Sequence, residues 1–506
     1  MVNILASYVG NIPLAMFAFF AVAFLVHRYY VWNRLSHIPG PFWASISCYW
    51  LLRTSLRGNM HRDFKTVNEK YGPLARIGPN ELMCSDADTM RRIAGVRSKY
   101  TRGGFYEAMK FNPVQDNLLS TRDENVHFEL KAKTAAGYSG KEVTNLEPAI
   151  DAQVASLILL IERKYLSTTD SHRPLDFARI AQFFTLDVIT ALAFGDAFGY
   201  LESDEDVHGY IQMTEDTIPM LMALAVLPWL VKIMQTRLFR SFIPSENDRL
   251  GFGKMMGVAK EVVDRRYTPG AKPQGDMLGS FLAHGLTREE AHSETILQVV
   301  AGSDTTATAI RATFLHILST PRTYSTLRSE IDAAIEHKKI SSPITDTEAK
   351  ALPYLQAVIL EGLRIFPPVT GMMSKSVPPG GDIIMGVKVP AGTQIGVCAF
   401  GKTHSTATFG PDASVFRPER WLEFGDSAEE KEREKRMRMV VDEIFSSGKW
   451  TCPGNSVAKI ELNKVFVELL RRFDFALERP TKPWSSHCAG VFIQKDMYVR
   501  VTERTS

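Results

Sequence analysis

The first 26 residues carry no charged side chain and are apolar from residue 12 to residue 26, with His27, Arg28 and Arg34 directly after them. With the more mixed segment before it, this run reaches the roughly 20 residues that a helix needs to cross a bilayer. Because the basic residues follow the run rather than precede it, the pattern favours a membrane anchor over a cleaved signal peptide. The same charge bias predicts that the body after residue 34 faces the cytosol.

Beyond residue 34 most of the chain repeats its apolar residues with helical spacing, and only short segments alternate as strands do. Helical patterns cover residues 59–70, 146–165, 175–194 and 287–319, and an apolar helical run covers 456–475. Alternation predicts a small hairpin from Leu74–Ile77 and Glu81–Cys84, and strands with a turn over residues 483–501. The chain is therefore predicted to be mainly α with a small β lobe.

The longest predicted helix opens with the capping box Thr287-Arg-Glu-Glu290 and ends at Ser319, before a proline. At about 1.5 Å per residue it would be roughly 48 Å long, enough to cross the molecule. Its middle changes character, because Gly302 removes a side chain and Asp304 and Thr305 bring polar atoms into an apolar stretch. Buried polar groups are costly without partners, which indicates a functional site, although a threonine can also bond to its own helix.

Composition limits the other classes of function. The 506 residues contain no Ser/Gly/Pro-rich linker, which predicts one large domain able to bury a sizeable cofactor. The five cysteines are odd in number and scattered, as in a reducing compartment. A net charge of +3 without a basic tract gives no indication of a nucleic-acid partner.

One cysteine lies in a distinctive loop near the C-terminus, Phe445-Ser-Ser-Gly-Lys-Trp-Thr-Cys452-Pro-Gly454. Glycines at both ends let backbone approach a flat partner closely. The loop resembles the haem-thiolate loop of the cytochrome P-450 superfamily. Three further motifs stand in that family's order, namely Ala301-Gly-Ser-Asp-Thr-Thr306, Glu361-Gly-Leu-Arg364 and Phe416-Arg-Pro-Glu-Arg-Trp421. The resemblance covers Pro39 to about Thr502, and the local sequence is most similar to that of filamentous-fungal members grouped with pisatin demethylase.

The resemblance implies a cytochrome P-450 fold preceded by one N-terminal transmembrane helix. Residues 1–34 would form the anchor and its basic flank, and residues 35–506 the catalytic domain. Cys452 would be the axial ligand of haem iron, to which it gives electron density. Asp304 and Thr305 would form an oxygen and water site. The Glu361–Arg364 pair, completed by Arg420, would be a scaffold beneath the haem.

The resemblance also predicts how the haem propionates are held. His127-x-x-x-Lys131 stands where most relatives carry Trp-x-x-x-Arg, and two residues four apart share a helix face. Lys375 stands where relatives often carry an arginine. Trp450 replaces the usual arginine or histidine and would offer its single indole N–H, with Lys449 adding charge. A solvated helix face remains the alternative for His127 and Lys131.

Other segments are assigned by position within the family. Those expected to cover or line the substrate pocket are Tyr100–Thr121, Ile218–Leu230, Val369–Met373 and Ala489–Phe492. Residues 423–438 are a charge run expected to be a solvated insertion. Basic residues after the loop, Lys459, Lys464, Arg471 and Arg472, would suit an acidic reductase, or else form a solvated helix face.

The function implied is a membrane-anchored monooxygenase that inserts one oxygen atom from O2 into a lipophilic small molecule, in fungal secondary metabolism. NADPH electrons would come from a separate flavoprotein reductase, with cytochrome b5 as a second candidate donor, at the cytosolic face of the endoplasmic reticulum. The alternatives are a haem-thiolate isomerase or dehydratase that needs no O2, a detoxifying demethylase or hydroxylase of aromatic compounds, and a haem-binding sensor without turnover.

Overall fold

A computed structural model describes residues 2–504 except 237, 240–242 and 250, and describes the side chains from Met16 onwards. Helices dominate it, as predicted. They are α1 (Val2–Arg34), α2 (Phe42–Ile46), α3 (Tyr49–Leu56), α4 (Met60–Tyr71), α5 (Ala87–Ala94), α6 (Glu124–Tyr138), α7 (Leu146–Leu160), α8 (Phe177–Phe194), α9 (Tyr200–Ser203), α10 (Tyr210–Ala225), α11 (Pro228–Met234), α12 (Gly251–Arg266), α13 (Met277–Ala283), α14 (Arg288–Ser319), α15 (Pro321–Glu336), α16 (Asp346–Lys350), α17 (Pro353–Ile365), α18 (Ala399–Thr403), α19 (Thr406–Phe409), α20 (Ala428–Asp442) and α21 (Asn455–Leu470).

The strands are short and form four small sheets. They are β1 (Leu74–Arg76), β2 (Glu81–Cys84), β3 (Thr101–Arg102), β4 (Leu175–Asp176), β5 (Lys375–Ser376), β6 (Asp382–Ile384), β7 (Val387–Val389), β8 (Gln394–Val397), β9 (Phe473–Leu477), β10 (Ser485–Cys488), β11 (Phe492–Lys495) and β12 (Tyr498–Glu503). The largest sheet has the order β1-β2-β8-β5-β3, and the others are β4-β12-β9, β10-β11 and β6-β7. The predicted hairpin of β1 and β2 is confirmed, with Leu74 opposite Cys84.

The core is built around α14, which begins after the N-cap Thr287 and ends at Ser319 as the sequence predicts. Both bonds of the capping box are present. Helix α8 packs against α14 so closely that a Cβ on Gly302 would lie 2.7 Å from Ile189. By length and composition α8 could cross a membrane, but it is buried inside the protein as a core helix is.

The junction between α1 and the body is fixed by a buried arginine. The Arg76 guanidinium donates to the carbonyl oxygens of Trp32 (3.0 Å) and Val31 (3.4 Å) at the end of α1. Its backbone N–H donates to Pro39 O at 2.8 Å. The segment Pro39-Gly-Pro41 is therefore attached to the edge of the β lobe, close to the end of α1.

Two boundaries differ from the sequence pattern. The apolar run predicted to be helical up to Phe475 ends as a helix at Leu470, and its last residues belong to β9. Phenylalanine fits both states, and pairing of β9 with β12 decides between them. The charge run lies mainly in α20, whose charged side chains are largely exposed while Met437, Val440 and Val441 are buried.

Candidate active site

The cysteine loop is held by backbone contacts that its sequence permits. The N–H of Cys452 donates to Phe445 O at 2.8 Å, which closes the loop. Gly448 has φ of +58°, and a Cβ there would lie 1.9 Å from Ala94 O, so only glycine fits. Gly454 has an ordinary φ of −87° as the N-cap of α21. The expected need for glycine is thus met at Gly448 and not at Gly454.

The thiol of Cys452 is accessible and yet enclosed. Its residue is exposed, whereas burial raises the pKa of the thiol and the nearby Lys131 lowers it. Both statements hold for a side chain that faces an internal space instead of the outer surface. Ala301 is likewise exposed although it lies in the middle of α14, and Thr305, one turn later, is half-buried. The interior therefore opens at the two places where the sequence predicts an iron ligand and an oxygen site.

Basic side chains converge beside the cysteine loop. We call Arg102, His127, Lys131, Lys375 and Lys449 the cationic cluster. The ammonium groups of Lys375 and Lys449 each lie 4.6 Å from the centre of the Trp450 ring. Lys131 donates to Lys449 O at 3.0 Å. Burial, aided by Arg102 and the three lysines of the cluster, lowers the pKa of His127 to about 3. The five residues predicted to hold the propionates, His127, Lys131, Lys375, Lys449 and Trp450, are thus brought together.

Arg102 was not predicted from the sequence. It is directly opposite Lys375 in the antiparallel pair of β3 and β5, an arrangement in which like charges destabilise a sheet. Its Nη1 donates to Leu118 O (2.7 Å) and Thr121 O (2.9 Å), while its buried Nε has no partner. The one sequence signal was an arginine at the start of the segment expected to cover the pocket.

The cationic cluster fits the acidic side chains of haem. Among the described residues, Arg102, His127, Lys131 and Lys375 form no salt bridge, and Lys449 reaches Glu124 at 3.5 Å. Burial lowers the pKa of Lys375 well below its usual range, and the indole N–H of Trp450 is buried without a partner. Buried donors and cations without acceptors are costly. Two carboxylates bound here would satisfy them.

On α14, Asp304 is engaged with two neighbouring helices. Its carboxylate accepts from Gln182 Nε2 on α8 and from Tyr210 OH on α10, both at 2.7 Å. Gln182 in turn accepts from Arg311 at 2.6 Å. Burial raises the pKa of Asp304, and the bonds from Tyr210 and Gln182 oppose that rise. The Thr305 hydroxyl donates to Ala301 O at 2.8 Å, as a helical threonine often does, and keeps its capacity to accept.

The predicted pairing of Glu361 with Arg364 and Arg420 is confirmed. Arg364 donates to both oxygens of Glu361 at 2.8 Å, and Arg420 donates to the same carboxylate at 3.0 Å. Trp421 adds its indole N–H at 3.0 Å, a contact that the sequence motif did not reveal. Arg364 also donates to the carbonyl oxygens of Thr403 and Ala413. Every formal charge in this group is paired.

The predicted basic docking face is wrong for Lys464. Its side chain is 1% exposed and pairs with Glu147 at 2.8 Å and Asp151 at 2.7 Å. Arg471 and Arg472 both pair with Glu468, which is also buried. Of the four residues, Lys459 lies on the surface and pairs with Asp442 at 3.0 Å. Salt bridges within the body account for this helix face, so it is not an open basic surface.

The four predicted pocket segments meet in one apolar cluster. It includes Phe105, Met109, Ile218, Met222, Met372, Ala489 and Phe492. Thr370 and Gly371 donate their backbone N–H groups to Gly490 O at 2.7 and 2.8 Å, which joins two of the segments. Residues 207–225 and 228–234 are together apolar enough to span a membrane, but the two helices are bent by 113°.

These features define a haem-thiolate enzyme, and comparison with known proteins agrees. The family model described as Cytochrome P450 matches residues 38–500, and the chain belongs to that family. It is 44% identical to "Cytochrome P450 monooxygenase ABA1" of Pyricularia oryzae, over 96% of each chain. It is 41% identical to the aba1 monooxygenase of Botryotinia fuckeliana, over 93% of this chain and 92% of that one. The abl1 monooxygenase of Leptosphaeria maculans is 38% identical, over 89% and 80%.

The chain is therefore a cytochrome P450 monooxygenase. Members of this family bind haem through a cysteine thiolate, which agrees with the accessible Cys452 thiol. The cationic cluster lies beside the cysteine loop, since Lys131 donates to the carbonyl oxygens of Lys449 and Thr451.

Proposed function

We propose that this chain is a membrane-anchored monooxygenase that inserts one oxygen atom from O2 into a lipophilic small molecule in fungal secondary metabolism. NADPH electrons would arrive through a separate flavoprotein reductase at the cytosolic face of the endoplasmic reticulum. The observation that carries the proposal is the accessible Cys452 thiol beside buried, unpaired donors. Haem bound there supplies the redox chemistry of dioxygen activation.

In this proposal the residues around the haem have separate tasks. Cys452 would bind the haem iron through its thiolate, and the Phe445 carbonyl holds the cysteine loop by the backbone bond that closes it. Arg102, His127, Lys131, Lys375 and Trp450 orient the cofactor through its propionates. Lys131 is tied to the cysteine loop by its bonds to Lys449 O and Thr451 O, so the propionate contacts and the ligand loop are positioned together.

Asp304 and Thr305 would take up protons and deliver them within the site. The Thr305 hydroxyl can hold a water in the interior that Ala301 opens onto. Burial raises the pKa of Asp304, so its carboxyl takes up a proton more readily than an exposed aspartate. To pass that proton on, its side chain must leave Gln182 and Tyr210. Proton delivery by a positioned group contributes typically about 10²–10⁴ in rate.

The substrate class follows from the lining of the pocket. The cluster joining the four pocket segments consists of aromatic, methionine and aliphatic side chains, a composition that binds apolar molecules. Helices α10 and α11, which we call the lid of the pocket, also carry apolar residues on their outer side, since Met220 is 62% and Trp229 is 59% exposed. A lipophilic substrate could therefore pass from a membrane to the pocket beneath α10 and α11.

The test measures product and hydrogen peroxide per NADPH, with a reductase present, in wild type and Thr305→Ala. We expect the variant to retain haem and to consume NADPH while releasing mostly peroxide, because water is no longer held for proton delivery. Thr306→Ala, which removes the next hydroxyl along α14, is the matched control and should remain coupled. Unchanged coupling in Thr305→Ala would reject the proton role, and product formation without O2 would reject the monooxygenase proposal.

Anchoring is tested by removing residues 1–26, which leaves the Trp32 and Val31 carbonyls bound to Arg76. The shortened protein should be released from membranes only partly, because Met220 and Trp229 can still enter the interface. A further Met220→Glu, Trp229→Glu double change should complete the release. If the shortened protein is fully soluble at low salt, the lid does not face the membrane.

A further inference from the structure

Glu294 is a fully buried carboxylate on α14, two to three turns before Asp304, and no sequence motif includes it. One oxygen accepts from the Leu118 N–H at 2.5 Å, and the other accepts from Tyr138 OH on α6 at 2.6 Å. Burial raises the pKa of Glu294 to about 7, since both partners are neutral donors. Such a group is costly to bury, and three elements of the site meet at it.

The contact with Leu118 leads directly to the cationic cluster. The carbonyl oxygens of Leu118 and Thr121 are the two acceptors that hold the Arg102 guanidinium. The guanidinium lies 5.3 Å from the centre of the Tyr106 ring, and Tyr106 OH accepts from Lys375. Arg102 is thus aimed by backbone carbonyls, and the N–H of the residue that supplies one of them is fixed by Glu294.

Residues 115–121, which we call the Leu118 loop, have internal hydrogen bonds of their own, but these bonds do not fix the distance of the loop from α14. Asn117 Oδ1 accepts from the N–H groups of Leu119 (2.9 Å) and Ser120 (2.8 Å), which shapes residues 117–120 as a unit. A second bond, from Ser293 Oγ to Gln115 O at 3.1 Å, ties only the start of the loop. Among the described residues, Glu294 is the side chain of α14 that hydrogen-bonds the backbone of Leu118.

We propose that Glu294 is a positioning residue for the cofactor: by holding the Leu118 N–H it fixes the loop carbonyls that aim Arg102 at a haem propionate. This inference rests on the proposed haem contacts of the cationic cluster. It assigns a second task to α14, the helix that also carries Asp304 and Thr305.

The experiment is a double-mutant cycle on the rate of haem transfer from the holoprotein to excess apomyoglobin, followed by absorbance. Arg102→Met should accelerate haem loss by about tenfold, as expected for a lost charge-assisted bond. Glu294→Leu should accelerate it several-fold. Combining the two should give little more than Arg102→Met alone, because residues that act through one another are not additive.

Lys131→Met is the matched control, since Lys131 is held by the carbonyl oxygens of Lys449 and Thr451 in the cysteine loop and not by the residues around Leu118. Its effect should multiply with that of Glu294→Leu. Glu294→Gln should restore near-normal haem retention, because the amide oxygen still accepts from the Leu118 N–H. Tyr138→Phe, which removes the other bond of Glu294, should change the rate little.

The outcomes separate this inference from the proposed function. If Arg102→Met leaves haem loss unchanged, the propionate assignment of Arg102 is wrong. If Arg102→Met accelerates haem loss but Glu294→Leu multiplies with it as with Lys131→Met, only the positioning role is rejected. Failure of Glu294→Gln to rescue would also reject it. Should Glu294→Leu fold poorly, Glu294→Asp, whose shorter side chain withdraws the carboxylate from the Leu118 N–H, takes its place in the cycle.

Discussion

The Glu361 network and the cationic cluster both bury several charged side chains, but they differ in charge balance. In the network, Glu361 meets Arg364 and Arg420, and Arg420 also pairs with Asp412 at 3.1 Å, so two carboxylates balance two guanidinium groups. Other guanidinium N–H groups reach backbone carbonyls. In the cationic cluster, five basic residues share Glu124 as the one carboxylate within salt-bridge distance among the described residues. Both groups contain deeply buried arginines, so burial alone does not separate them.

The difference shows which group belongs to the fold and which to the cofactor. In a balanced network every charge has its partner within the polypeptide, so the network can stabilise the protein whether or not a cofactor is bound. An unbalanced one costs stability until an anion arrives, and like charges opposite each other at Arg102 and Lys375 add to that cost. The cationic cluster therefore has the properties of a binding site.

The largest effect is expected in the balanced network. Arg364→Met would leave Glu361 buried with one fewer cationic partner, and breaking a buried pair typically costs about 3–5 kcal/mol. We expect a large fall in the thermal midpoint and little folded protein. Glu361→Gln, which keeps a polar partner of the same shape, should lose less. A nearly normal midpoint for Arg364→Met would show that the network is not a scaffold.

A second prediction uses a buried acid that has neutral donors as its direct partners. Folding raises the pKa of Glu294 from 4.5 to about 7, so the folded state prefers the protonated carboxyl. The native protein therefore loses stability as pH rises from about 4.5 to 7, by at most about 3 kcal/mol at 1.36 kcal/mol per pKa unit. Glu294→Gln does not titrate and avoids this loss.

The measurement is the difference in thermal midpoint between Glu294→Gln and wild type at pH 5 and at pH 8, at one scan rate. The variant should gain on wild type at pH 8 and not at pH 5. An unchanged difference would contradict the raised pKa of Glu294. Glu429→Gln, which makes the same substitution at an exposed position at the start of α20, is the control for the change of residue type.

Sequence motifs located the parts of the site that lie within one segment. The cysteine loop, the bounds of α14 and the Glu361–Arg364 pair each depend on contacts a few residues apart, which spacing and capping residues encode. Arg102, Glu294, Gln182 and Tyr210 were missed because their partners lie far away in the chain. The Leu118–Glu294 bond, for example, spans 176 residues.

Lys464 is a residue that the sequence pattern wrongly predicted to be exposed, again because its partners lie far away in the chain. Its helical position predicted an exposed basic residue, but α7 and the segment before α16 cover that face of α21 and supply Glu147, Asp151 and the Ile344 carbonyl. Periodicity shows that a helix has two faces and not which neighbour covers them. The α21 boundary at Leu470 has a similar cause, because pairing with β12 turns Phe473–Leu477 into a strand.

The smallest effect on the stability of the fold is expected within the cationic cluster. It should also differ in sign from the effect of Arg364→Met in the Glu361 network. Lys375→Met removes a buried ammonium whose pKa burial lowers, so the cofactor-free fold should be as stable as wild type or more so. Haem loss from the holoprotein should nevertheless accelerate by about tenfold, because one charge-assisted bond to a propionate is gone. Trp450→Phe is the control for a neutral donor at the same place, and losing its single indole N–H should accelerate haem loss only a few-fold. Circular dichroism of the cofactor-free proteins and haem transfer to apomyoglobin measure the two quantities separately. If Lys375→Met weakens the fold as Arg364→Met does, the two groups are not different in kind, and the cationic cluster is part of the scaffold.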